Sequence, residues 1–88
     1  MLVFAIISNS ENPALEGRIN DEYALANFRF AKNVWLVADR GITAKEVCEK
    51  LDIEPGGING AIVINVEKYF GFAPKTTWDW LQVKMNEG

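Results

Sequence analysis

Three strand-length runs dominate this sequence: Leu2 to Ile7 (LVFAII), Val34 to Ala38 (VWLVA) and Ala61 to Val66 (AIVINV). Each puts apolar side chains at odd and even positions alike. A strand sends successive side chains to opposite faces, so a run of this kind calls for cover on both sides. With 88 residues the chain has material for one core, so the runs are expected to share one sheet in a single domain, residues 1–88. None approaches the roughly 20 apolar residues of a membrane span. The first run has no basic segment before it and no small-residue cleavage site after it. It therefore reads as a strand, and the expectation is a cytoplasmic protein without membrane contact.

Between the runs the signals change period. Asn12 and Pro13 suit an N-cap and a first helical position, and Leu15, Ile19 and Tyr23 follow at a spacing of four. Asn27 to Ala31 alternates, Phe28 and Phe30 against Arg29, as an edge strand with one wet face does. Ala31, Lys32 and Asn33 make a hairpin into the second apolar run. Thr43 and Glu46 form a capping box, with Ile42 and Val47 placed for a hydrophobic staple. Ala44, Val47, Cys48 and Leu51 then make one apolar stripe, so Cys48 reads as a core residue. Pro55, Gly56 and Gly57 stop that helix. After the third run come Tyr69, Phe70, Gly71, Phe72 and Pro74, and a last helix is expected from Thr76, capped through Asp79. Trp78, Leu81 and Met85 would line its buried side, with Trp80 elsewhere.

Strand, helix, strand, strand, helix, strand and a short helix, joined by right-handed crossovers, predict an α+β, ferredoxin-like βαββαβ sandwich with a short C-terminal helix. Both main helices would cover one face of the sheet, yet the central strands and the last strand are apolar on the other face too. An open patch of that size is unusual for a soluble monomer. Either the final helix with its tryptophans folds beneath the sheet or a second copy stacks sheet to sheet. The expectation is the homodimer.

Composition narrows the chemistry. There is no histidine and only one cysteine, Cys48. Histidine-based acid–base or nucleophilic catalysis, an intrachain disulfide and a Cys/His zinc site are all excluded. No metal-ligand set is nominated, and the catalytic residues, if any, stay unknown. A net charge of −3 speaks against an unspecific nucleic-acid coat but leaves room for a local basic patch. The carboxylates Glu11, Glu16, Asp21 and Glu22 read as a solvated surface around the first helix.

One candidate site emerges if strands one and three run parallel, so that their C-terminal ends meet at one edge. Ser8, Asn9 and Ser10 would then lie beside Asp39, Arg40 and Thr43, under the N-termini of both helices. Free N–H groups and Arg40 could hold a phosphate, an anion or a nucleic-acid backbone there. The competing account is that Ser, Asn and Thr cap helices and Arg40 pairs with Asp39. Aromatics beside cations, Phe28 and Phe30 about Arg29 and Tyr69, Phe70 and Phe72 near Lys68 and Lys75, allow base stacking or, equally, core and dimer packing.

The segments NVWLVADRGITAKEVCEKL (Asn33 to Leu51) and GAIVINVEKYFGFAPKTTWDWL resemble the small SinR-family proteins, which have a "TWLV" strand, a Ser/Thr-Ala helix start and a Gly- and Trp-containing tail. That family is similar in turn to the ferredoxin-like CRISPR-associated nucleases and to VapD-type RNA-cutting toxins. The resemblance implies a ferredoxin-like homodimer tied to RNA or DNA. In the nuclease type, paired acids at the end of the first strand hold Mg²⁺. The matching segment here, Ile7 to Ser10, has no carboxylate, and Glu11 is the nearest. The resulting expectation is a noncatalytic interaction or regulatory module without a cofactor. The alternatives are a metal-dependent nuclease, for which alone Mg²⁺ would be needed, and an RNA-binding module.

Overall fold

A computed structural model describes residues 1–87. The elements are β1 (Leu2–Ser8), α1 (Pro13–Glu22), β2 (Asn27–Ala31), β3 (Val34–Asp39), α2 (Ala44–Lys50), β4 (Ala61–Val66) and α3 (Lys75–Asn86). The strands form one sheet in the order β2-β3-β1-β4, and every neighbouring pair is antiparallel. The chain is thus an α+β domain of four antiparallel strands and three helices. Among the described residues no helix is long and apolar enough to cross a membrane.

The pairing of β1 with β3 corrects an expectation. Leu2 lies opposite Asp39 and Ile7 opposite Val34, so the two strands run antiparallel rather than parallel. The reason is the hairpin. The crossover through α1 brings β2 back parallel to β1, and the Lys32–Asn33 turn then reverses β3 before it enters the gap between them.

Local chemistry sets the helix ends. Asn12 Oδ1 accepts from the Leu15 amide at 3.1 Å, and Pro13 occupies the first turn, where its missing N–H costs nothing. The Thr43–Glu46 capping box is closed in both directions. α3 departs from expectation: it starts at Lys75 behind Pro74, without a side-chain cap, and Asp79 pairs instead with Lys75 at 2.9 Å.

Alternation along the strands builds two apolar layers. Phe4 and Ile6 of β1, with Trp35 and Val37 of β3, pack against Leu15, Ile19 and Tyr23 from the α1 region and Val47 and Leu51 from the α2 region. On the other face Val3, Leu36 and Ala38 meet Leu81 of α3, flanked by Phe28, Val66, Trp78, Trp80 and Met85. The final helix therefore lies beneath the sheet. Both tryptophans pack there, each half-buried, so Trp80 does not take a separate side. A glycine is required at position 60. Its φ is +76°, and a Cβ there would stand 2.6 Å from Asn9 Oδ1.

Candidate functional site

Antiparallel β1 and β3 separate the residues that a parallel pairing would have gathered. Ser8, Asn9 and Ser10 lie at one end of the sheet and Asp39, Arg40 and Thr43 at the other, a strand length of about 20 Å apart. The anion site as expected from the sequence is therefore not assembled. At the first end, Ser8 is buried and its hydroxyl donates to the Ser10 carbonyl at 2.6 Å, while Ser10 Oγ donates to Asn9 Oδ1 at 3.3 Å. The Asn9 amide donates to the Gly60 carbonyl at 2.8 Å. These groups hold a turn. At the other end the Thr43 hydroxyl belongs to the capping box, and Arg40 is exposed beside a shallow hollow formed with Met1, Leu2 and Gly41.

Asp39 sits instead in a clamp that joins β3 to both helices. Its Oδ2 accepts from the Tyr23 hydroxyl and from Lys50 Nζ, each at 2.8 Å, and its Oδ1 accepts from the Arg40 amide at 2.7 Å. Lys50 also lies over the Tyr23 ring, 4.7 Å from its centroid, and Arg18 donates to the Lys50 carbonyl at 2.5 Å. Burial works against ionisation of Asp39, but the bonds from Lys50, Tyr23 and the Arg40 amide outweigh it and keep the carboxyl below its ordinary range. Burial, followed by the bond to Asp39, pushes the Tyr23 hydroxyl well above its ordinary value. Near neutral pH the carboxylate is charged and the phenol neutral, and neither is poised to move a proton. One signal for this clamp was present in the sequence: a tyrosine on an apolar stripe whose hydroxyl needs a partner once buried.

Several of the acids near α1 are paired too. Glu16 bonds Arg29 at 2.8 Å, and Arg29 in turn lies over the Trp35 ring; Glu11 approaches Lys32 at 3.5 Å. Cys48 is half-buried, and burial, with the charge of Glu49 second, raises its thiol pKa. Among the described residues no three His, Cys, Asp or Glu side chains converge as a metal site would need.

The largest departure from a closed core lies on the α3 face. α3 covers Val3, Leu36 and Ala38 but leaves the far part of β4 and the tip of β2 uncovered, where Ile62, Ile64 and Phe30 are each about half exposed. In the segment between β4 and α3, Phe70 and Phe72 are fully exposed. Tyr69 stacks on Trp78 with ring centroids 5.8 Å apart and planes 13° from parallel. Phe30, Val66, Tyr69, Phe70, Phe72 and Trp78 surround a groove of about 230 Å³. The aromatic run was visible in the sequence, but that it stands clear of the core depends on where α3 docks.

Comparison with family models, with curated proteins and with solved structures finds no match to this chain.

Proposed function

We propose that this protein is a noncatalytic interaction module that works as a homodimer on a ferredoxin-like, split βαβ frame. The strand order β2-β3-β1-β4, with α1 and α2 sharing one apolar layer, supports that frame. The SinR-like segments of the sequence point the same way. The reading rests on one observation, the uncovered apolar surface around the aromatic groove.

Phe70 and Phe72 fully exposed, with Phe30 and Tyr69 half exposed, amount to about three aromatic side chains in water. At roughly 150–250 Å² each they expose about 450–750 Å². Ile62 and Ile64 add a second exposed apolar strip along β4, outside the groove, and a standard interface takes roughly 800 Å² from each partner. The largest patch on a typical monomer is about 300–600 Å² and is itself often functional. A second copy of the chain supplies a surface of matching size and apolarity.

The nuclease alternative would need acids free to bind a metal ion. Asp39 is already held by two side chains, and Glu11 lies at the opposite end of the sheet. A cleavage assay with added Mg²⁺ would revive that alternative only if RNA is cut and Asp39→Ala abolishes the cut. The test of the proposal itself is mass. Light scattering at micromolar concentration should give a dimer, and Phe70→Ser/Phe72→Ser should weaken it without changing the circular dichroism. A monomer mass for the wild-type chain would end the reading. An affinity for RNA that falls steeply with salt would favour the RNA-binding alternative.

A further inference from the structure

β2 and β4 form the two edges of the sheet, and the sequence treats them differently. Along β2 the pairing shifts register between Arg29 and Ala31, and Arg29 and Lys32 place cations at that edge. An irregular, charged edge resists a further strand. β4 pairs with β1 at consecutive positions without a shift, from Val3 opposite Val66 to Ser8 opposite Ala61. Its sequence AIVINV holds no charge and no proline, and it is mostly β-branched. Ile62 is 57% exposed and Ile64 45%, both on the side that α3 leaves open. Among the described residues no backbone hydrogen bond reaches β4 other than its ladder with β1. Edges of this kind invite a partner strand.

Building on the homodimer reading above, we infer that β4 is where the second copy joins. The two β4 strands pair antiparallel across a two-fold axis at Val63, turning the four-stranded sheet into one continuous sheet of twice the width. This register sets Ile62 opposite the partner's Ile64, and Ile64 opposite the partner's Ile62. Opposed residues of an antiparallel pair point to the same side, so the four half-exposed isoleucines form one cross-strand cluster. A strand without charge is its own complement in this arrangement, because no like charges meet. The contact is isologous, so it closes at two copies. It also brings the chain leaving β4, with Tyr69 and Phe70, alongside the glycine-rich stretch that enters the partner's β4. Both aromatic grooves end on the same face of the joined sheet.

The experiment uses Ile62→Lys/Ile64→Lys and Ile62→Glu/Ile64→Glu in the full chain, both sites being half exposed in the single copy. Mass is read for each variant alone and for their mixture, with circular dichroism as the folding check. The lysine variant should raise the dimer dissociation constant roughly tenfold or more, since four cations would meet across the axis. The mixture should restore the dimer. A wild-type monomer would overturn the homodimer reading, and this inference with it. A wild-type dimer that the lysine pair leaves intact, or lysine and glutamate variants that do not recombine, would overturn the β4 contact alone. Should the variants fail to fold, hydrogen exchange of the wild-type chain decides. Protection of the β4 amides that rises with protein concentration supports the contact, and protection independent of concentration overturns it.

Discussion

Replacing Leu81 by alanine tests whether α3 truly closes the second face of the sheet. Leu81 is 4% exposed and is the buried contact that α3 offers to Val3, Leu36 and Ala38. The substitution removes three carbons from water-free packing, about 2.4 kcal/mol at roughly 0.8 kcal/mol each. The space left beneath the helix adds to this, at about 24 cal/mol per Å³ of cavity that does not collapse. A surface helix can settle partly into that space, so the total should be about 3 kcal/mol, near the lower end of buried leucine truncations. For a domain of this size that corresponds to a fall in Tm of roughly 12–24 °C. The assay is thermal unfolding followed by circular dichroism at several protein concentrations, because self-association raises the apparent Tm. A fall below about 4 °C at every concentration would refute the reasoning. It would mean that α3 does not carry its share of the core, and that the face is covered by something else or left open.

The Asp39 clamp makes a second prediction: Tyr23→Phe should cost about 1 kcal/mol and Asp39→Ala about 2 kcal/mol in urea unfolding at pH 7. Since the folded carboxyl of Asp39 titrates lower than the unfolded one, its stabilisation is present above about pH 4 and is lost as pH falls through the depressed value. The gap between wild type and Asp39→Asn should accordingly close in acid, and a gap that persists to pH 2 would contradict the clamp. Tyr23 behaves oppositely. Its raised pKa means a contribution intact below about pH 10 and lost as pH rises beyond it, which Tyr23→Phe should not show. Among the glycines, Gly17→Ala should stabilise by about 0.5–1 kcal/mol, since it lies inside α1 with open space where the methyl would go. Gly60→Ala should destabilise by about 2 kcal/mol or more, because φ is +76° and the methyl would collide with Asn9; an unchanged urea midpoint would refute this.

Much of the local structure was legible in the chain itself. Asn12 and Pro13, or Thr43 and Glu46, act within three residues of themselves, so their hydrogen bonds do not depend on the rest of the fold. The first two apolar runs likewise became strands covered on both sides, as Val3 and Phe4 show by facing the two different apolar layers, whereas the third, β4, keeps Ile62 and Ile64 half exposed on one face. Strand direction was another matter. Whether Ser8 and Asp39 meet or stand a sheet's length apart follows from the α1 crossover and the Lys32–Asn33 hairpin taken together, and from neither motif alone. The same holds for Tyr23, Asp39 and Lys50, which the packing of two helices on one strand brings within 2.8 Å, although Tyr23 and Asp39 are far apart in sequence. Thr76 and Asp79 carried the pattern of a cap, yet the helix began a residue earlier, behind Pro74. Apolar period alone could say that the second face needed cover; it could not say how far α3 would reach. A helix of twelve residues is too short to shield a whole sheet face, and where it lies across the strands decides which aromatics remain in water. That position is set by the summed packing of Leu81, Trp78, Trp80 and Met85 against residues of all four strands, a property that exists only once the sheet has formed.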